Sequence, residues 1–155
     1  MTAIMSTRNS ATVENNRIVQ DTPSSFRVLV CGGRDYRNRD FIHNTLVALD
    51  AERGPIACVI HGAATGADDE AMIWAQMMGR VKHAPFAAEW ERYGKAAGPI
   101  RNQRMLDQGK PDLILAFPGG KGTADMIRRA KAAGIEVIAM SEERTSLPME
   151  GAADD

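Results

Sequence analysis

The residues of this sequence that could do chemistry lie in three glycine-rich loops. The loops are Gly32-Gly33-Arg34-Asp35, Gly62-Ala63-Ala64-Thr65-Gly66-Ala67-Asp68 and Pro118-Gly119-Gly120-Lys121-Gly122-Thr123. Glycine allows turns with positive φ and lets a ligand approach the backbone closely. Where such a loop leads into a helix, the unpaired N–H groups and partial positive charge of the helix start attract an anion. The pattern predicts phosphate binding, to which Thr65 and Thr123 can add a hydroxyl donor or a helix cap.

The loop from 118 to 123 carries the strongest of these signals, because a single Gly-Gly pair, as at 32–33, is also what an ordinary turn requires. The familiar fingerprints of other nucleotide enzymes are absent from the sequence. It contains no GxGxxG, which disfavours a standard dinucleotide dehydrogenase, and no GxxxxGK followed by Ser or Thr, which excludes a P-loop NTPase. It also contains no GxSxG nucleophile elbow.

A polar stretch at 90–105 holds further candidates for ligand contacts. Arg101 and Arg104 are three residues apart and therefore share one face of a helix. A positive side chain is unfavourable at a helix start, so Arg101 needs another role, and a bidentate clamp on phosphate is one. Asn102 and Lys95 complete the predicted contacts, although Lys95 is equally compatible with a surface position.

The two aromatic residues of this stretch, Trp90 and Tyr93, admit two interpretations. Their rings could cover the hydrophobic core, or they could stack on the base of a nucleotide. Sequence alone does not choose between these two positions.

Apolar periodicity predicts alternating strands and helices from residue 26 to residue 140. Five strands are predicted, at Arg27–Cys31, Cys58–Ile60, Val81–Phe86, Leu113–Phe117 and Ile135–Met140. Four helices are predicted, at Phe41–Leu49 with Asp40 as N-cap, Ala67–Met78 ending at Gly79, Gly98 or Ile100 to Gln108, and Thr123–Ala133 ending at Gly134.

This alternation indicates an α/β fold, in which continuous apolar strands form a parallel sheet covered by helices on both faces. With right-handed crossovers it is a Rossmann-like doubly wound sheet of about five strands, in the expected order 3-2-1-4-5. Ligands bind such sheets beyond the carboxyl ends of the strands, near the point where the strand order reverses. The three glycine-rich loops are predicted to meet at that edge.

Length and composition favour one globular domain at 26–140. The 155-residue chain is 44% hydrophobic and 25% charged, so it can bury a core without a disulfide or metal. The polar segment 1–25 and the acidic segment 141–155 are predicted to be flexible tails. A net charge of -1 creates no field that attracts nucleic acid, but the acidic tail leaves a mildly basic body suited to a small anionic ligand.

The sequence predicts a cytoplasmic protein that makes no membrane contact. No apolar run approaches the roughly 18 residues of a membrane span, and no signal-peptide apolar region is recognisable. Cys31 and Cys58 lie in apolar runs rather than in a CxxC pair, which predicts buried thiols and neither a zinc site nor a redox motif. No motif calls for a metal ion or an organic cofactor.

Together these motifs resemble the SLOG superfamily, named for the DNA-processing Smf proteins and the "lonely guy" cytokinin-activating enzymes, and above all its YspA-like, YpsA-related branch. The matching segments are CGGRDY at 31–36, HGAATGADDEA at 61–71, WERYGKAAGPIRNQRM at 90–105 and FPGGKGTADM at 117–126. They extend over nearly the whole predicted domain. The resemblance implies a Rossmann-like fold that binds nucleotides or nucleotide-derived molecules, in relatives that are often dimers.

The "lonely guy" enzymes are phosphoribohydrolases, which cleave the N-glycosidic bond of a modified adenosine monophosphate. The resemblance places their signature arginine at Arg101 and their PGGxGTxxE loop at 118–126, where Met126 occupies the glutamate position. Because that glutamate is expected to act on the ribose and the departing base, its loss argues for binding more strongly than for catalysis. The adjacent Asp125 is expected to face elsewhere, since one step along a helix rotates a side chain by about 100°.

Three functions stay open on this basis. The first is binding of a nucleotide for sensing, sequestering or processing, with the phosphate on Gly119–Thr123, Arg101 as counter-charge, the base toward 32–35, and Asp35 or Asp68 accepting from ribose hydroxyls. The second is a phosphoribohydrolase in which Arg101 and Asp68, or Asp35, are catalytic. The third is a single-stranded nucleic-acid module, against which the slight net charge argues. In each case we expect a homodimer or a higher homo-oligomer.

Overall fold

Five parallel strands form one sheet at the centre of residues 25–142, the part of the chain that the computed structural model describes. The strands are β1 (Phe26–Cys31), β2 (Ile56–His61), β3 (Lys82–Pro85), β4 (Leu113–Ala116) and β5 (Glu136–Ala139). Their order across the sheet is β3-β2-β1-β4-β5, which confirms the predicted order 3-2-1-4-5. The two predicted tails lie almost entirely outside the described residues.

The central strand β1 pairs in parallel with β2 on one side and β4 on the other. Val28 to Cys31 lie opposite Leu113 to Ala116, and Arg27 to Leu29 lie opposite Cys58 to Ile60. Because β2 and β3 lie on one side of β1 and β4 and β5 lie on the other, the order of the strands reverses between β1 and β4. This is the position at which a doubly wound sheet opens a crevice beyond its carboxyl ends.

Helices cover both faces of the sheet. They are α1 (Arg39–Arg53), α2 (Ala67–Met78), α3 (Trp90–Tyr93), α4 (Ala97–Gly109) and α5 (Lys121–Ala132), with a 3₁₀ turn at Gly94–Ala96. The predicted bounds of α2 and its end at Gly79, which has a φ of 78°, are confirmed. The predicted cap of α1 is wrong, because the Asn38 side chain, not Asp40, accepts the backbone N–H of Phe41 at 3.1 Å.

Strand alternation divides the core into two clusters. In β1, Val28 and Val30 pack on one face with α1 and α2, whereas Leu29 and Cys31 pack on the other with α4 and α5. The first cluster includes Ile42, Leu46, Leu49, Ala71 and Trp74, and the second includes Met105, Leu106, Met126 and Ala130. These apolar faces fix the rotation of each helix, and thereby which side chains can reach the carboxyl edge of the sheet.

Two further expectations have clear outcomes. Cys31 and Cys58 are buried free thiols, as predicted. The third strand is two residues shorter than predicted, and the edge position of Pro85 agrees with a residue that cannot donate to a sheet ladder. None of the helices in the described residues is long and apolar enough to cross a membrane.

Candidate functional site

A cleft of about 860 Å³ opens beyond the carboxyl ends of β1 and β4. Most of the predicted site residues line it: Gly32, Gly33, Arg34, Asp35, Asp68, Lys95, Arg101, Asn102, Pro118, Gly119, Gly120, Gly122 and Thr123. Its wall also includes Trp90, for which base stacking was one of two predicted roles, and eight residues that were not predicted as ligand contacts: Cys31, Tyr36, Ala64, Gly98, Pro99, Met105, Lys121 and Asp125. All nine lie inside the quoted motifs at 31–36, 61–71, 90–105 and 117–126, so position in a motif could have found them.

The loop after β4 forms the floor of this cleft and leads directly into α5. Gly120 is the N-cap of α5 and no side chain caps the helix, so the N–H groups of its first turn are available to a ligand. A Cβ atom added at Gly120 or Gly122 would have no protein atom within 4 Å apart from the backbone next to it in the chain. Packing inside the protein therefore does not require glycine at either position, and both face open space in the cleft.

The loop after β1 is held tightly against the loop after β4. The N–H of Gly33 donates to the carbonyl of Pro118 at 2.8 Å, and a Cβ at Gly119 would lie 2.7 Å from the Gly33 nitrogen. A Cβ at Gly32 would lie 2.6 Å from the Cβ of Ala67 in α2. These three glycines line the cleft, but the close approach of the two loops and of α2 is enough to explain them.

The loop after β2 contributes less to the cleft wall than predicted, because Gly62, Ala63 and Gly66 do not line it. A Cβ at Gly62 would lie 2.5 Å from Nη1 of Arg101, so this glycine makes room for the guanidinium. Gly66 has a φ of 77°, and a side chain there would collide with the carbonyl oxygen of Gly33. Ala63 has a φ of 58° and its N–H donates to Nδ1 of His61 at 3.1 Å.

The two threonines of the predicted loops do not cap helices. Thr65 donates its hydroxyl to the carbonyl of Arg34 at 3.1 Å, which joins the loops after β1 and β2. Thr123 lies in the first turn of α5 and is buried against Gly119, while still contributing to the cleft wall. Both side chains therefore shape the loops, and of the two only Thr123 faces the cleft.

Asp68 is the buried carboxylate of the cleft. Its Oδ2 accepts the N–H of Gly62 at 2.7 Å, and only 6% of the residue is exposed. Burial raises the pKa of Asp68 to about 6, although the hydrogen bond from Gly62 and the charge of Arg101 act in the opposite direction. Asp35, the other predicted carboxylate, lies exposed at the rim. With a pKa of about 6, Asp68 can exchange a proton near neutral pH.

Arg101 is half-buried and held in one orientation by its neighbours. Its Nη1 donates to the carbonyl of Gly62 at 2.6 Å, and its Nε donates to Oδ1 of Asn102 at 3.0 Å. Burial lowers the pKa of Arg101, while the nearby Asp68 opposes that shift. Within the described part of the chain, Nη2 of Arg101 has no hydrogen-bond partner.

Asn102 and Asp125 join the middle of α4 to the first turns of α5. The Nδ2 group of Asn102 donates to the carbonyl of Gly122 at 3.2 Å and to Oδ2 of Asp125 at 3.0 Å. Asp125 also accepts from Arg128 at 2.6 Å and from Arg129 at 2.8 Å. These hydrogen bonds lower the pKa of Asp125, although burial acts the other way as its largest single influence. Asp125 is therefore a charged but fully engaged carboxylate.

The expectation that Asp125 faces away from the cleft is wrong. Met126 is fully buried in the core with Leu29 and Ile114, and this packing fixes the rotation of α5. The rotation turns Asp125, one residue earlier, into the cleft wall. Position 126, where the PGGxGTxxE loop has its glutamate, is thus a core residue in this chain. The carboxylate that lines the cleft from this turn of α5 belongs to Asp125.

The aromatic residues predicted either to cover the core or to stack are both exposed. Trp90 is 46% exposed and lines the cleft, and Tyr93 is 38% exposed outside it. The guanidinium carbon of Arg34 lies 5.0 Å from the Trp90 ring centroid, a cation–π contact across the cleft mouth. Core coverage is therefore the wrong interpretation for both residues.

The cleft carries an excess of positive charge. The cationic side chains in its wall are Arg34, Lys95, Arg101 and Lys121. Among residues 25–142, none of these four makes a salt bridge, whereas Asp125 is neutralised by Arg128 and Arg129. Unpaired cations beside uncapped backbone N–H groups favour an anionic ligand.

Comparison with known proteins identifies a family and proteins of related fold. The profile of the YspA, cpYpsA-related SLOG family matches residues 26–93. The Gene 61 protein of Mycobacterium phage D29 is 41% identical over 119 residues, which cover 72% of this chain and 94% of that protein. A solved structure of the molybdenum cofactor carrier protein of Chlamydomonas reinhardtii is 20% identical, with a TM-score of 0.51 over 74% of this chain and 75% of that chain. At this identity the structural likeness supports the Rossmann-like fold alone.

Proposed function

This chain belongs to the YspA, cpYpsA-related SLOG family, and we propose that it binds the phosphate of a nucleotide or nucleotide-derived ligand at the start of α5. One observation carries the proposal. Gly120 and Gly122 face the cleft, and a Cβ at either would meet no protein atom within 4 Å. A close approach of a ligand to the backbone is the physical reason for glycine at positions where the protein itself requires none.

Charge and hydrogen-bond donors at this position support phosphate as the group bound. The first turn of α5 presents uncapped N–H groups, and Nη2 of Arg101 is free of protein partners in the described residues. Lys121 and Lys95 add unpaired positive charge to the cleft wall. Backbone donors and a guanidinium together match the oxygens of a phosphate group.

The size and polarity of the remaining cleft support a nucleoside attached to that phosphate. A volume of about 860 Å³ exceeds what a lone phosphate needs and suits a nucleotide. We place the base toward 32–35, with Trp90 at the mouth as a stacking surface and Asp35 or Asp68 as acceptors for ribose hydroxyls. The carrier protein of similar fold binds the molybdenum cofactor by its name, but the likeness is too distant to select that ligand here.

The decisive variant is Gly120→Asp, with Ala124→Asp as its matched control. An aspartate at the N-cap of α5 can accept the free N–H groups of the first turn, so it stabilises the helix while it occupies the anion site. Ala124 is exposed on the same helix and does not line the cleft. It therefore receives the same charge without blocking the site.

The measurement is the shift in unfolding temperature of each protein with nucleoside 5′-monophosphates, nucleoside diphosphates and the matching free nucleosides. A ligand at a hundred times its Kd stabilises a protein by about 2.7 kcal/mol. We expect phosphate-bearing ligands to stabilise the wild type and Ala124→Asp, and Gly120→Asp to lose this stabilisation. Equal stabilisation of Gly120→Asp by the same ligand would remove α5 as the phosphate site.

We also propose a second function on the same site, hydrolysis of the N-glycosidic bond of a nucleoside monophosphate. It is favoured by Asp68, a cleft carboxylate whose pKa is raised to about 6 and which can therefore gain or lose a proton near neutral pH. Incubation with nucleoside monophosphates and separation of the products by chromatography tests it. Release of free base that is abolished in Asp68→Asn supports hydrolysis, and binding without base release from any substrate rules it out.

A homo-oligomer in the cytoplasm, expected from the sequence, completes the proposal. Apolar side chains exposed on the packed helices α1 and α2 support an interface there: Val47 is 53%, Met77 71% and Met78 37% exposed. Light scattering after size-exclusion chromatography measures the mass directly. A dimer that dissociates in Met77→Glu supports the interface, and a monomer in the wild type excludes it.

A further inference from the structure

Asn102 connects the guanidinium of Arg101 to the first turn of α5. We propose that Asn102 is a positioning residue, which orients Arg101 and ties it to α5 so that the guanidinium and the backbone donors of α5 bind one phosphate group as a unit. This inference rests on the proposed function, and it replaces the predicted role of Asn102 as a direct ligand contact.

The side-chain amide of Asn102 is hydrogen-bonded to other residues of the protein. Its Nδ2 group donates to the carbonyl of Gly122 at 3.2 Å and to Asp125 at 3.0 Å, which uses both N–H bonds. Its Oδ1 accepts from Nε of Arg101 at 3.0 Å. With the residue only 4% exposed, its side chain has little capacity left for a ligand.

These contacts also fix the orientation of the Asn102 side-chain amide. Reversal of Asn102 would set its oxygen against the carbonyl of Gly122 and the carboxylate of Asp125, and its N–H groups against the guanidinium of Arg101. Asp125 is itself held by Arg128 and Arg129 at 2.6 and 2.8 Å. The amide therefore has one stable orientation, with its oxygen toward Arg101.

Most of the hydrogen-bond donors of the Arg101 guanidinium are already used within the protein. Its Nε is used by Asn102, and its Nη1 by the carbonyl of Gly62 at 2.6 Å and, more weakly, by that of Phe86 at 3.5 Å. Only Nη2 has no partner in the described part of the chain, and the residue lines the cleft. Asn102 and Gly62 thus leave one edge of the guanidinium to face the ligand.

The hydrogen bonds that Asn102 makes to Asp125 and Arg101 also act cooperatively. Asp125, Asn102 and Arg101 form a chain in which a carboxylate polarises an amide and the amide oxygen holds a guanidinium. Hydrogen bonds in such a chain strengthen one another in a partly buried site. The carbonyl of Gly122 accepts from the same Nδ2 group, so a shift of α5 is transmitted to Arg101.

The test compares Asn102→Ala with Gln103→Ala, a matched loss of an amide one residue along α4. Gln103 bonds to Asp107 at 3.0 Å and to Arg129 at 3.0 Å, outside the cleft wall. Hydrogen exchange of the Arg101 Nε–H, followed by ¹⁵N NMR without ligand, reports the orientation directly. We expect slow exchange in the wild type and Gln103→Ala, and fast exchange in Asn102→Ala.

The second readout is the affinity for pyrophosphate, measured by calorimetry in a double-mutant cycle. Arg101→Ala alone should weaken binding by roughly 10- to 100-fold, the usual range for a charged hydrogen bond. In the Asn102→Ala background the same change should cost less than about threefold, because Arg101 is no longer aimed at the ligand. Should Asn102→Ala fail to fold, Asn102→Ser leaves a smaller cavity and a hydroxyl too short for both contacts.

The outcomes separate the two proposals. A wild type that does not bind pyrophosphate overturns the proposed function. A wild type that binds, together with losses for Arg101→Ala and Asn102→Ala that simply add, overturns the positioning role alone. Unchanged exchange of the Arg101 Nε–H in Asn102→Ala has the same consequence.

Discussion

The loop after β2, at 61–68, and the loop after β4, at 117–125, both run from a buried strand through glycines to an Ala-Asp pair near a helix start. The two Ala-Asp pairs differ in position by about one turn of helix. Asp68 is the second residue of α2 and folds back on its own loop, whereas Asp125 is the fifth residue of α5 and reaches across to α4. The same dipeptide thus closes a loop in one region and joins two helices in the other.

The glycines of the two loops differ in the same way. Gly62 and Gly66 are surrounded by protein: a side chain at either would strike Arg101 or the carbonyl of Gly33. Gly120 and Gly122 are surrounded by the open cleft. In the first loop both glycines are required by internal packing, whereas in the second only Gly119 is, and Gly120 and Gly122 are not.

The largest expected effect is on folding, in Gly66→Ala. This position combines a φ of 77° with a collision at the Gly33 carbonyl, so we expect a loss of about 4 kcal/mol in the free energy of unfolding. Gly79 has a φ of 78° but no atom within 4 Å, so Gly79→Ala isolates the backbone cost, about 1 kcal/mol. Urea denaturation measures both, and equal losses would mean that packing does not explain Gly66.

The next effect is pH-dependent and belongs to the loop after β2. Burial lowers the pKa of His61 to about 4, so the folded state holds fewer protons than the unfolded state, and stability falls as pH falls from about 6.5 to 4. The pKa of Asp68 is raised to about 6, so its contribution has the opposite sign, and stability falls as pH rises from about 4 to 6. Each of these two contributions to the free energy of unfolding is on the order of 3 kcal/mol, and they largely cancel in the wild type.

Single substitutions should separate the two opposite pH dependences of the free energy of unfolding. In His61→Gln the Asp68 term remains, so the free energy of unfolding should decrease from pH 4 to pH 6 relative to the wild type. In Asp68→Asn the His61 term remains, and the relative slope should be positive. Denaturant titrations at pH 4, 5 and 6 measure both slopes. Parallel curves for the two variants would show that neither group titrates as its burial requires.

The pattern of apolar residues was sufficient to predict the fold. Continuous apolar strands specify a buried parallel sheet, and the limits of α2 follow from its apolar spacing and from Gly79. The cap of α1 could not be read with equal ease, because Asn38 and Asp40 are both good capping residues and only the backbone geometry selects Asn38. The α3 helix, at 90–93, is too short to leave a periodic signal.

The candidate site was predictable as a set of loops but not as a set of contacts. Position in the sequence identifies a glycine, whereas its role depends on which atoms lie within a few ångströms, as Gly62 and Gly122 show. The orientation of Asp125 depends on the burial of its neighbour Met126, which is a property of the whole core. Helical rotation alone gave the wrong answer, because it fixes the angle between two residues but not which of them faces inward.

The smallest expected effect gives the sharpest contrast, since Gly122→Ala should change stability and affinity in opposite directions. Gly122 lies within α5, where alanine is favoured over glycine by up to about 1 kcal/mol, and an added methyl group meets no protein atom within 4 Å. We therefore expect a gain of about 0.5 kcal/mol in the free energy of unfolding. Because Gly122 lines the cleft, we expect the same methyl group to lower pyrophosphate or nucleotide affinity severalfold. In Gly62→Ala the added Cβ would lie 2.5 Å from Nη1 of Arg101, so stability and affinity should both fall. If Gly122→Ala lowers stability, or if it binds as tightly as the wild type, the glycines of the loop after β4 are also packing residues and the distinction between the two loops is lost.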